Sequence, residues 1–266
     1  MEPYNIIEPT APAVPIVVSS PHSGTFIPGH IRERMHPELT EKMDETDWFV
    51  DRLYDFVPAM GITMITANYS RWVIDLNRHP KQQPLYNDGR VITGLVPLTN
   101  FNGLPLYLNK EDKPDEKETE ERLEKYYLPY HQKLAALIKQ THQQFGEVLL
   151  FDAHSIRRIV PGIQKQAFPG IILSDNDQTT ASKQVSTAAL NSLKNAEYEV
   201  EYNKPFKGGH ITRSSGDPQN RIHALQLEIT KTIYMDDTET KYHEEKAERL
   251  RHLLQQTFAN LINTLS

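Results

Sequence analysis

Apolar positions in this chain recur with two periods. Short β-branched runs alternate with longer segments whose apolar residues return every three to four positions. Residues 15–20 form the first short run. It stops at Pro21-His22-Ser23-Gly24, as a buried strand does when it enters a loop. Residues 45–58 set Trp48, Phe49, Leu53 and Phe56 on one helical face, closed by Pro58. Residues 62–66 and 72–75 read as strands joined tightly through Asn68-Tyr69-Ser70. From 78 to 109 the chain is rich in Pro, Gly and Asn and has no helical period, and long loops of this kind often carry function.

Residues 115–144 predict a charged helix with Leu123, Tyr127, Tyr130, Leu134 and Leu137 as its stripe, kinked at Pro129. The run 147–151 predicts a strand that ends where Asp152-Ala153-His154-Ser155 begins. A strand over 170–174, a helix over 179–194 and a strand over 198–202 follow. A loop then carries Gly208-Gly209-His210, before a strand over 223–229 and a closing helix over 240–265. There is no internal repeat and no low-complexity linker. Strands alternating with helices predict a three-layer α/β/α fold with a mostly parallel or mixed central sheet.

Composition narrows the possible functions. The 266 residues are 38% hydrophobic and 24% charged, as in an ordinary globular protein. Net charge is −6 and the basic residues are scattered, which argues against nucleic acid as a partner. An anionic small molecule needs only a local arginine cluster. With no cysteine, disulfides and thiolate catalysis are excluded, so a metal must be held by histidines and carboxylates. The proline-broken N-terminus does not read as a signal peptide, and no apolar run reaches the roughly 20 residues of a membrane span. A cytoplasmic enzyme with no membrane partner, working as a monomer or small homo-oligomer, is the expectation.

In open α/β sheets, ligands bind at the carboxyl ends of the strands. The unusual polar residues of this sequence fall at such ends. His22 and His154 are the candidate metal ligands, each just after a predicted strand and among small residues. A catalytic metal wants about three protein ligands. Asp47 is the candidate third, with Glu45 and Asp44 as substitutes, and Asp152 suits a supporting role behind His154. A lone histidine after a strand is more often a hydrogen-bonding loop residue, and Asp47 would equally suit a helix N-terminus.

Arg71 and Arg78 flank an apolar stretch, with Asn77 beside Arg78. A guanidinium fork binds carboxylates bidentately, so this is a candidate substrate clamp, although an Arg–Asp pair through Asp75 uses the same spacing. Glu228 lies among apolar neighbours, where a carboxyl pKa rises. That suits a general base, although Gln226 and Glu228 would also share one face of an outward-facing strand. His210 follows two glycines, which allow close backbone approach. It is a candidate for polarising an acyl oxygen, and Arg213 for binding a side-chain carboxylate. No Gly-x-Ser-x-Gly elbow, dinucleotide fingerprint or phosphate loop is present.

Taken in order, Ser20-Pro21-His22-Ser23-Gly24, Glu45-Thr46-Asp47-Trp48, Val50-Asp51-Arg52-Leu53-Tyr54, Asp75-Leu76-Asn77-Arg78, Asp152-Ala153-His154-Ser155 and Gly208-Gly209-His210 resemble the N-formylglutamate amidohydrolase family. The match runs from about residue 15 to residue 230. Asp75-Leu76-Asn77-Arg78 also resembles the substrate clamp of aspartoacylases and succinylglutamate desuccinylases, relatives of zinc carboxypeptidases. The resemblance implies a single amidohydrolase domain over residues 1–266 with a phosphorylase/hydrolase-like fold. It further implies Zn2+ or another divalent metal on His22 and His154, Asn77 and Arg78 on a substrate carboxylate, Glu228 as acid/base, and Arg71 or His210 stabilising the oxyanion. The implied reaction cleaves a small acidic N-acyl amino acid, N-formyl-L-glutamate, to formate and L-glutamate in histidine degradation. The alternatives are another acyl group, or a metal-free carboxylate-binding protein. One departure stands out: the carboxypeptidase group binds metal through His-x-x-Glu, and here Thr25 occupies the Glu position.

Overall fold

The computed structural model describes residues 1–81, 83, 93–195 and 197–265. Among these residues seven strands form one sheet in the order β1-β3-β2-β4-β7-β5-β6. They are β1 (Tyr4–Ile7), β2 (Ile16–Ser20), β3 (Thr63–Ala67), β4 (Val148–Ile156), β5 (Ile171–Ser174), β6 (Val200–Tyr202) and β7 (Ile222–Thr230). The helices are α1 (Gly29–Arg32), α2 (Pro37–Thr40), α3 (Val50–Leu53), α4 (Glu116–Arg122), α5 (Leu128–Phe145), α6 (Lys183–Lys194), α7 (His210–Ser215) and α8 (Glu244–Thr264). The centre, β3-β2-β4-β7, is parallel, whereas β1 pairs antiparallel with β3 and β5 antiparallel with β7. The sheet is thus mixed, with helices on both faces, as the alternation of periods predicts.

Strand side chains alternate between faces, and the core divides accordingly. On β4, Leu149, Phe151 and Ala153 join Leu225, Leu227 and Ile229 of β7 beneath α6 and α8. Val148 and Leu150 face the other way with Ala224, against Tyr130, Leu134 and Leu137 of α5. Continuing that alternation places Asp152 and His154 of β4, and Gln226 and Glu228 of β7, on the α5 face near the strand ends. The register pairs Asp152 with Gln226 and His154 with Glu228. Strand alternation alone therefore brings the candidate metal ligand and the candidate base side by side.

Several local expectations are corrected. β4 does not stop at Phe151 but runs to Ile156, because β7 pairs with it along its whole length and keeps the polar residues in the ladder. Residues 72–75 are not a strand. β1 already occupies the edge beyond β3, and the segment coils instead, its Asp75 N–H donating to the Leu95 carbonyl. The helix expected over 45–58 shrinks to α3 and a 3₁₀ turn at Val57–Met60. Phe49 has φ 63°, and the Asp47 N–H donates to the His22 carbonyl at 3.0 Å, so tertiary contacts override the helical pattern. The long helical segment is interrupted by a π-turn at Leu123–Tyr127 just before Pro129. His210 is not in a loop but is the first residue of α7. Part of the expected loop over 78–109, namely 82 and 84–92, lies outside the described residues.

Candidate active site

His22 follows β2 by two residues, Asp47 comes from the bend before α3, and His154 is on β4. The three are buried and offer ligand atoms that all lie within 4.8 Å of one another. Asp47 Oδ2 is 3.0 Å from His154 Nδ1 and 3.8 Å from His22 Nδ1. Two of the buried polar atoms here, His22 Nδ1 and Asp47 Oδ1, have no hydrogen-bond partner. Buried polar groups are normally paired, so orphans within such a group mark a place for a ligand. Two imidazoles and a carboxylate are also a set that binds a divalent cation. The residues present therefore fit a metal ion. Glu45 and Asp44, the substitutes for Asp47, are engaged elsewhere: Glu45 with the Trp72 indole at 2.9 Å, Asp44 with Arg157 at 3.3 Å.

Behind each imidazole stands a carboxylate. His22 Nε2 is 2.8 Å from Asp75 Oδ1, and His154 Nε2 is 3.1 Å from Asp152 Oδ2. This is how proteins fix the ring orientation and raise the basicity of a metal-binding histidine. Asp152 thereby takes the supporting position its spacing suggested, and is further held by Ser19 Oγ at 3.1 Å. Asp75 is the hub, and for Arg71 the structure shows the Arg–Asp pair that the spacing offered as the alternative to a clamp. Asp75 accepts from Arg71 Nη2 at 2.7 Å and from the Asn77 N–H at 2.9 Å, with Arg78 Nη2 at 3.8 Å. A carboxylate flanked by arginines at positions i−4 and i+3 was its signal. α4 and the π-turn after it hold this segment: Arg122 donates to the Val73 carbonyl, and the Tyr127 hydroxyl to the Arg78 carbonyl.

The electrostatics favour a cation at this point. Burial raises Asp75, but Arg71 and Arg78 outweigh it and hold the carboxyl well below the usual range. Asp47 is likewise raised by burial and lowered on balance, chiefly by its hydrogen bond to His154. His154 is opposed by burial, yet Asp152 and Asp47 keep its pKa well above the ordinary value. His22 goes the other way, lowered by burial and then by Arg71. A field that holds a proton between His154 and Asp47 also attracts a divalent cation. Glu228, beside His154, is raised by burial to about 8, with the His154 charge opposing.

The clamp candidates divide. Arg71 is buried, stacks its guanidinium 4.8 Å from the centre of the Phe101 ring, and leaves its Nε without a partner. Arg78 donates to the Thr93 carbonyl and hydroxyl at 3.1 Å. The Asn77 amide accepts from the Ile211 N–H at 2.8 Å, with its Nδ2 3.1 Å from His154 Nε2. His210 stands apart from the metal group, its ring beside His79 and His131, and burial lowers its pKa to about 4. Arg213 donates through Nε to the Gly208 carbonyl at 2.8 Å. Thr25 is exposed, and the carboxylate grouped with His22 and His154 is that of Asp47.

Comparison with known proteins decides the family. Residues 14–235 match the N-formylglutamate amidohydrolase family. The chain belongs to this family. It is 36% identical over 252 residues to N-formylglutamate deformylase of Pseudomonas putida, covering 94% of this chain and 92% of that one. It is 35% identical over 251 residues to the deformylase of Pseudomonas aeruginosa, covering 94% and 93%. The crystal structure of N-formylglutamate amidohydrolase from Ralstonia eutropha superposes with a TM-score of 0.83 at 29% identity, covering 98% of this chain and 97% of the other. As a family member the chain is an amidohydrolase. No helix among the described residues is long and apolar enough to cross a membrane.

Proposed function

We propose that this amidohydrolase is a zinc-dependent N-formylglutamate deformylase, cleaving N-formyl-L-glutamate to formate and L-glutamate in histidine degradation. The observation that carries the reading is Glu228, in register with His154 and beside the buried group His22, Asp47 and His154, in a chain of this family. His22, Asp47 and His154 would hold the metal, and zinc suits two imidazoles and a carboxylate with a position left open. Bound there, zinc supplies Lewis-acid polarisation of the formyl carbonyl and a lowered pKa for the attacking water.

Glu228 takes a proton from that water as it attacks the formyl carbon, and returns it to the amide nitrogen as the C–N bond breaks. Its raised pKa suits the return of the proton, and the charge of a cation bound beside it would lower that pKa toward the range in which it accepts one. Arg71, whose Nε is unpartnered and buried, stabilises the developing oxyanion. It is better placed than His210, whose ring packs among other imidazoles. Asn77 and Arg78 hold the α-carboxylate and fix the pose, with Arg213 the candidate from sequence for the second carboxylate.

The test is turnover of formyl, acetyl and succinyl derivatives of glutamate and aspartate by zinc-loaded protein. N-formylglutamate should have the highest kcat/KM. A preference for a larger acyl group would redirect the substrate, and no turnover of any of them would remove the proposal.

A further inference from the structure

The C-terminal ends of β4 and β7 border a second pocket with about 40 Å³ of free space, walled by Asp44, Glu45, Phe101, Ser155, Arg157 and Lys231 among others. That is room for a few waters or one carboxylate group. It adjoins the proposed active site. Phe101 carries the Arg71 guanidinium on its ring, and Glu45 stands two residues before Asp47. Asp47 is the strongest of the charges acting on Lys231.

Most charged groups in this pocket are already matched. Arg157 pairs with Glu239 at 2.7 Å and with Asp44 at 3.3 Å. Glu45 accepts from the Trp72 indole and from the Phe101 N–H. Lys231 is different. It begins the 3₁₀ turn after β7, is 2% exposed, and donates to the Asp44 carbonyl at 2.7 Å. Among the described residues no carboxylate pairs with it. An ammonium has three donors, and a buried one whose single hydrogen-bond partner among the described residues is a neutral carbonyl is costly. Burial lowers its pKa to about 8, which leaves it mostly cationic at neutral pH.

We propose that Lys231 binds the side-chain carboxylate of the substrate and sets the preference for an acidic amino acid. The proposal rests on the amidohydrolase reading above and replaces Arg213 in that one role. A substrate spanning the site would have its α-carboxylate toward Asn77 and Arg78 and its side-chain carboxylate toward Lys231.

The experiment compares N-formyl-L-glutamate with its neutral isostere N-formyl-L-glutamine, on zinc-loaded wild type and Lys231→Met. Wild type should favour the glutamate compound. In K231M, kcat/KM for N-formylglutamate should fall by about 100-fold or more, because a desolvated charge pair is broken. For N-formylglutamine it should change by less than about threefold, since an uncharged amide loses no ion pair. Equal losses on both substrates would assign Lys231 a structural role and overturn the proposal, as would a wild type indifferent to the side-chain charge. Should K231M fail to fold, Ile159→Asp serves, because Ile159 lines the same pocket and is 56% exposed. It should raise KM for N-formylglutamate by about fivefold through like-charge repulsion and leave N-formylglutamine unchanged. No effect would overturn the proposal. A wild type inactive on every formyl amino acid would instead remove the reading on which it rests.

Discussion

Substituting Glu228 by Gln should separate catalysis from stability. Burial raises its carboxyl from 4.5 to about 8. The folded chain therefore keeps a proton that the unfolded chain releases above pH ~4.5, and metal-free stability falls as pH rises from there toward 8. At pH 7 the gap is about 2.5 pH units, or about 3 kcal/mol at 1.36 kcal/mol per unit. Part of the side chain reaches solvent although protein surrounds the carboxyl group, so about 2 kcal/mol is the working figure. Gln has nearly the same shape and no proton to lose. Metal-stripped E228Q should melt about 4–8 °C above stripped wild type at pH 7 and show little advantage at pH 4.5. Zinc-loaded E228Q should lose about 10²–10⁴-fold in kcat, the usual worth of a general acid/base. Differential scanning fluorimetry across pH and a formate-release assay measure the two. A variant that melts lower than wild type at pH 7, or turns over as fast, refutes the assignment of Glu228 as a buried base.

Other perturbations follow from the same geometry. Asp75→Asn should weaken zinc affinity about 10–100-fold, measured by chelator competition, because the His22 ring loses its orienting carboxylate. It should also cost about 3 kcal/mol in a urea melt, because Arg71 loses its buried partner. Gly209→Ala should destabilise by about 1–3 kcal/mol, since a Cβ there would lie 2.2–2.5 Å from the Asn77 amide. If the melt is unchanged, the packing of α7 on Asn77 is wrong. His131 is held near 4 by burial, so its contribution is favourable above pH 6.5 and is lost as pH falls toward 4. Between pH 7 and 4.5, wild type should therefore lose about 2 kcal/mol more than His131→Gln in urea melts.

The legible part of this fold was its layering. The period of two in the 223–229 run and the helical stripes of α5 and α8 predicted the elements and their faces, because burial acts on every residue of such segments. What the sequence did not carry was long-range pairing. Only the partnership of β4 with β7 extends β4 through Asp152 and His154, and only the antiparallel β1 displaces residues 72–75 from the sheet. The bend that delivers Asp47 depends on the contact of its N–H with the His22 carbonyl, 25 positions away in sequence. In the site, His22, Asp47 and His154 were nameable from residue type and come together. Asp75 was named only as the partner of an arginine, and Lys231 not at all, because a carboxylate hub and a buried cation without an ion-pair partner are properties of packing that residue type does not reveal.

Turnover should require one divalent ion held jointly by His22, Asp47 and His154. Metal content by inductively coupled plasma mass spectrometry, followed on the same samples by N-formylglutamate hydrolysis after chelation and after zinc return, tests it most directly. Wild type should carry about one ion per chain, lose activity on stripping and recover it on zinc addition, and folded His154→Ala should lose most of its bound metal. Full activity in metal-free protein, or undiminished metal content in that variant, would contradict it.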